Sequence, residues 1–170
     1  MRLASVQAII KALNDAGVRY LVAGGLAVNV YGYARFTKDI DLVLELAPVN
    51  IHEAFTALAA LGYRPIVPLT ADQFADATLR AALVREKGMQ VLQLYSDQNR
   101  DTSVDIFAEV PFSFDEEFER ATIRDLAGAG PVRFVSIRTL IRMKEAAGRP
   151  TDRIDVEHLR MRLEDDEHSA

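Results

Sequence analysis

Apolar positions recur along the chain with two periods, and the switches between them mark out the elements. From Leu3 onward Val6, Ile9, Ile10 and Leu13 fall at helical spacing, and Gly17 ends the run. Residues 18–23 are a short continuous apolar stretch, the pattern of a buried strand. Gly24-Gly25 turns the chain into a short predicted helix over 26–31. Residues 39–46 then alternate: Ile40, Leu42, Leu44 and Leu46 take one face, and Asp39, Asp41, Val43 and Glu45 the other. A second amphipathic helix over 48–61 carries Ile51, Phe55, Leu58 and Leu61 and stops at Gly62. Pro65 and Pro68 make residues 63–67 an edge strand.

The later half is more broken. Residues 71–80 read as a helix, and 83–86 with 89–95 as paired strands across a Lys87-Gly88 turn. In a further strand over 103–108, Asp105 stands opposite the aliphatic pair Val104 and Ile106. Residues 111–121 are acidic and aromatic, a short helix or loop anchored by phenylalanine. A turn at 128–130 leads to a last strand at 132–135. Ser136 caps a helix over 137–147, closed by Gly148 and Pro150, and Thr151 or Asp152 caps a final helix to about residue 163. The order predicts an α/β (α+β) fold with a mixed β-sheet, flanking helices and a small C-terminal helical pair. We expect one domain over 1–170, with a core at about 18–135 and the C-terminal helices at about 136–163.

Composition narrows the class. The chain has 170 residues, 49% apolar and 26% charged, which is ordinary globular usage. It contains no cysteine, so disulfides and thiolate metal sites are excluded. No apolar run reaches membrane-spanning length and the first residues lack a signal-peptide core, so a cytoplasmic protein is expected. The net charge of −5 argues against a protein that coats nucleic acid, but not against a local basic groove.

Two features carry candidate chemistry. Glycines between a strand and a helix let backbone approach a ligand closely, and helix N–H groups suit phosphate; a plain tight turn would also need them. Asp39 and Asp41, two residues apart on one strand, project from one face and suit a hard divalent cation; a solvated acidic edge is the alternative. Asp105 on a later strand is the natural third carboxylate.

The same residues resemble the nucleotidyltransferase superfamily, whose fold is similar to the catalytic core of DNA polymerase beta. Its signature is Gly-Gly or Gly-Ser, a spacer, then Asp-x-Asp, with a third Asp on a later strand. Here thirteen residues separate Gly25 from Asp39, and Asp105 takes the third place. The run Arg35, Thr37, Asp39, Asp41 and the later Lys144 with Gly148-Arg149-Pro150-Thr151-Asp152 are similar to small bacterial members related to abortive-infection toxins. The resemblance implies Mg²⁺ held by Asp39, Asp41 and Asp105, and an NTP held by Gly24, Gly25, Arg35, Thr37 and Lys144, with Asp152 in support. It implies transfer of a nucleoside monophosphate to a hydroxyl on a tRNA end, a protein side chain or a small molecule. The toxin branch further implies a cognate antitoxin. One position departs: Gly25 stands where many active transferases carry Ser, so a catalytically silent nucleotide- or partner-binding module of the same fold is the alternative. Read by themselves, Lys144 is a solvated helix lysine and Asp152 a helix cap. Late cations Arg133, Arg138, Arg142, Lys144 and Arg149 form either an acceptor-binding surface or a solvated face.

Overall fold

The computed structural model describes residues 1–168. Helix α1 (Leu3–Asp15) buries Val6, Ile9, Ile10 and Leu13, as its spacing requires. Strand β1 (Tyr20–Val22) is buried throughout and runs into α2 (Gly24–Val30), so the two glycines are the first turn of the helix rather than a loop before it. Strand β2 (Asp39–Leu44) ends two residues short of the alternating pattern. Helix α3 (Pro48–Ala60) starts on a proline, whose missing N–H has no helical partner to lose at that position. Next come β3 (Arg64–Pro65), α4 (Ala71–Ala75) and α5 (Ala77–Lys87). Strands β4 (Val91–Tyr95) and β5 (Ser103–Phe107) lead to α6 (Phe114–Arg120). A hairpin of β6 (Thr122–Leu126) and β7 (Gly130–Phe134) precedes α7 (Ile137–Ala147) and α8 (Pro150–His168).

The strands form a seven-stranded mixed sheet in the order β3-β4-β5-β2-β1-β7-β6. The acid-bearing strand is central: β2 pairs antiparallel with β1 and parallel with β5. Its aliphatic face enters the core, where Ile40, Leu42 and Leu44 are fully buried with Leu21, Ile9, Ile51 and Leu58. Burying that face fixes the register, because a slip by one residue would drive Asp39 and Asp41 into the core. β3 is an edge strand, as Pro65 requires.

Three expectations are corrected. Residues 83–86 are helical, not a strand: Asp76 caps α5 by accepting from the Thr78 and Leu79 N–H groups, and Gly88 closes it at φ +65°. β4 pairs instead with β5 and β3. The hairpin partner β6 is absent from the sequence-based reading; its half-exposed, charged stretch TIRDL gives no buried alternation. Helix α8 continues to His168, beyond the expected end near residue 163, because the stretch 164–168 (EDDEH) has no apolar position to mark the end.

Candidate active site

The cleft is built where β1 ends. Ala23 is extended, and Gly24 adopts φ +60°, a left-handed conformation that glycine takes without penalty. A second constraint acts at the same residue. A Cβ on Gly24 would lie 1.7 Å from Asp41 Oδ2, so the carboxylate occupies the space a side chain would need. At Gly25 a Cβ would lie 2.8 Å from Thr37 Oγ1 and 3.1 Å from Arg35 Nη2. Thr37 and Arg35 thus close over the second glycine, which explains why Gly stands there. A serine side chain in place of Gly25 would press on the Thr37 hydroxyl, which donates to Asp39 Oδ1 at 3.0 Å.

The parallel pairing of β2 with β5 sets Asp41 directly beside Asp105 and Asp39 beside Ser103. Carboxylate oxygens of Asp39, Asp41 and Asp105 lie within 4.8 Å of one another. Asp39 and Asp41 are partly exposed, whereas Asp105 is only 9% exposed and accepts from Gln93 Nε2 at 3.1 Å. Burial, then repulsion from Asp39 and Asp105, pushes the Asp41 carboxyl up to about 6, against the pull of Lys144 and Arg149. Burial likewise raises Asp105, opposed by the Gln93 hydrogen bond. Three converging acids held against their own repulsion are a donor set suited to a hard divalent cation: oxygen ligands only, each open to the cleft.

Opposite the sheet, α7 supplies the other wall of a cavity of about 360 Å³, with Leu140, Met143 and Lys144 facing it. Ser136 caps this helix by accepting from the Thr139 N–H. Buried Glu117, reaching across from α6, accepts from the Ser136 N–H at 2.6 Å and the Thr139 hydroxyl at 2.7 Å. Helix α8 packs on α7 and brings carboxylates behind the wall. Lys144 Nζ is buried between Asp152 Oδ1 and Asp155 Oδ2, 2.9 Å from each. Asp155 also contacts Arg35 Nε at 2.9 Å, and Asp152 pairs with Arg149 Nε at 2.7 Å.

Of the expected site residues, Gly24, Gly25, Arg35, Thr37, Asp39, Asp41, Asp105 and Lys144 all line this one cavity. Asp152 does not; it is buried behind Lys144. Lys144 is not a solvated helix lysine, being 4% exposed. The late cations do not form one surface: Arg133 stacks on Phe118 at 4.3 Å, Arg142 donates to Thr139 Oγ1, and Arg149 turns to the cavity. Sequence reasoning missed Asp155, Arg149 as a cavity residue, and Gln93. Asp155 left a usable signal, since it lies one helical turn from Asp152 and shares its face.

Comparison with solved structures decides the fold. ANT(2″)-Ia in complex with adenylyl-2″-tobramycin superposes with a TM-score of 0.59 at 17% identity, covering 95% of this chain and 88% of that one. The fold is that of the nucleotidyltransferases. The lincomycin-bound lincosamide antibiotic adenylyltransferase LnuA matches at TM-score 0.55 and 14% identity, over 86% of this chain and 89% of its own. An antigenic nucleotidyltransferase-like protein from Paracoccidioides brasiliensis matches at 0.51 and 17%, over 92% and 74%. No family model and no curated protein matches the sequence. Among the described residues no helix is long and apolar enough to cross a membrane.

Proposed function

We propose that this chain transfers a nucleoside monophosphate from an NTP to a hydroxyl acceptor. The observation that carries the reading is the convergence of Asp39, Asp41 and Asp105 within 4.8 Å beside a glycine turn whose side-chain space is already taken. The likeness to nucleotidyltransferase folds supports it. Mg²⁺ held by the three carboxylates would neutralise charge on the phosphates and polarise the attacking oxygen. Arg35, Lys144 and the bare backbone of Gly24 and Gly25 would hold the triphosphate, and Thr37 would orient Asp39. Asp105 would take the acceptor's proton. The acceptor oxygen forms a bond to the α-phosphorus, the bond from that phosphorus to the bridging oxygen breaks, and pyrophosphate leaves with the electron pair. The reading treats residues 1–170 as one working unit, because α7 and α8 complete the cavity.

Acceptors to be tried are RNA ends, protein hydroxyls and small molecules. The antibiotic ligands of two similar proteins put hydroxylated antibiotics among the last group. A toxin role opposite an antitoxin rests on the sequence resemblance and is tested by growth arrest on expression, relieved by co-expressing a candidate antitoxin. The central test incubates purified protein with each α-labelled NTP, Mg²⁺ and these acceptors. Label transfer is expected from wild type and lost in Asp39→Ala/Asp41→Ala; transfer that persists in that variant overturns the mechanism. Nucleotide binding without transfer to any acceptor would identify the silent module instead.

A further inference from the structure

Two carboxylates of α8 stand behind the cavity wall, and they differ in how they are satisfied. Asp152 is fully engaged: it accepts from Lys144 Nζ at 2.9 Å, Arg149 N at 3.2 Å, Arg149 Nε at 2.7 Å and Arg149 Nη2 at 3.3 Å. It behaves as a structural clamp on the turn between α7 and α8. Asp155, 1% exposed, lies 2.9 Å from both Arg35 Nε and Lys144 Nζ. Yet neither of its oxygens, nor Arg35 Nε, makes an aligned hydrogen bond. Charge holds the three groups together while the N–H directions point elsewhere. For Arg35 those directions are visible. Nη1 donates to the Phe36 carbonyl at 3.2 Å, and Nη2 lies 3.1 Å from where a Gly25 Cβ would be, against the glycine turn.

We propose that Asp155 is a positioning residue that fixes the Arg35 guanidinium and the Lys144 ammonium as a cationic pair facing the triphosphate side of the cavity. The proposal rests on the nucleotide reading of that cavity. Several observations favour it over a purely structural ion pair. Burying a charge is unfavourable unless it is well hydrogen-bonded, and apolar residues of similar size commonly do as well in a structural role. The next position, Val156, and Leu159 one turn on are buried apolar residues, so apolar side chains are accommodated along this helix. Asp155 instead ties together three segments: the loop before β2, α7 and α8. With Asp152 and Arg149 counted, three cations and two carboxylates leave one net positive charge, and Asp155 lies between Arg35 and Lys144 without taking an aligned hydrogen bond from either. A triphosphate arriving at the glycine turn then meets a pair already spaced, with little side-chain entropy left to lose.

The test needs no knowledge of the base. Binding of Mg-tripolyphosphate and of the four NMPs is measured by calorimetry on wild type and Asp155→Asn, with the fold checked by circular dichroism. Asp155→Asn is expected to weaken Mg-tripolyphosphate at least tenfold and to change NMP affinity less than twofold. In the transfer assay KM for NTP rises by a similar factor while kcat stays within about threefold. An unchanged tripolyphosphate affinity in folded Asp155→Asn overturns the proposal. So does a parallel loss for tripolyphosphate and NMP, which is what a merely structural role produces. Should Asp155→Asn fail to fold, Arg35→Lys keeps the charge but removes the fork that Asp155 sets. It is then expected to weaken tripolyphosphate at least fivefold, and wild-type affinity in that variant overturns the proposal. Wild-type protein that binds no Mg-tripolyphosphate overturns both this proposal and the reading it rests on. Wild-type protein that binds it but transfers nothing overturns catalysis alone.

Discussion

Asp41 offers a direct test of whether the three acids are held against their own repulsion. Its carboxyl is displaced from 3.8 to about 6 by burial and by Asp39 and Asp105. A folded-state value above the unfolded one means that the folded state binds the proton more tightly. The stabilisation is therefore complete below pH about 4 and is lost as pH rises through about 6. A tenfold change in protonation equilibrium corresponds to about 1.4 kcal/mol, so the metal-free protein loses up to about 3 kcal/mol across that window. Partial opening of the carboxylate to the cavity brings the expected loss to about 1–3 kcal/mol. For a chain of this size each kcal/mol moves Tm by about 2–4 °C. Other groups titrate too, so the reading is a difference. Asp41→Asn cannot ionise, and in chelator it should match wild type near pH 4 and melt roughly 2–12 °C higher at pH 8. Millimolar Mg²⁺ or Mn²⁺ should raise wild type above the variant at pH 8, because the cation favours the ionised carboxylate. Differential scanning calorimetry from pH 4 to 8, with and without metal, provides the curves. Parallel Tm profiles for the two proteins in chelator would refute the argument.

Other perturbations follow from the same geometry. Gly24→Ala places a Cβ 1.7 Å from Asp41 Oδ2 at φ +60°, so urea denaturation should show a loss of at least about 2 kcal/mol and calorimetry no divalent-metal binding. Gly25→Ser meets Thr37 Oγ1 at 2.8 Å and dislodges the hydrogen bond to Asp39; initial rates should fall at least tenfold and recover in part in Gly25→Ser/Thr37→Gly. Recovery would show that the two positions share one hydroxyl site, and its absence would show that they do not. Glu117→Gln weakens the buried cap on α7, so chemical denaturation should register a loss of about 1–2 kcal/mol with little change in nucleotide affinity.

Much of this site is legible in the sequence because its residues obey strong local rules. Alternation along β2 puts Asp39 and Asp41 on one face, and burying Ile40, Leu42 and Leu44 enforces it. Asp105 is legible for the same reason, as the polar break in an apolar strand. The strand misread at 83–86 shows where such rules stop. That helix has little sidedness, its one buried residue being Arg80, and only the Asp76 cap and Gly88 mark its ends. Strand β6 is hidden because its residues are half-exposed or exposed and its hairpin partner alone defines it.

The environment of a charged side chain is the least legible property, and the reason is physical. Periodicity tells which residues share a face of one element, not what a second element brings against that face. Lys144 lies on a helix rich in charge, and only the packing of α8 onto α7 buries it between Asp152 and Asp155. Gly25 shows the same limit from the other side. As a sequence feature it is a missing hydroxyl and a mark against catalysis. In the fold, Thr37 reaches over from the loop before β2 and puts a hydroxyl in that space. The hydroxyl missing at Gly25 is matched in position by one from another segment, whose proton goes to Asp39. The rate of Gly25→Ser/Thr37→Gly decides whether that hydroxyl serves where a serine at Gly25 would.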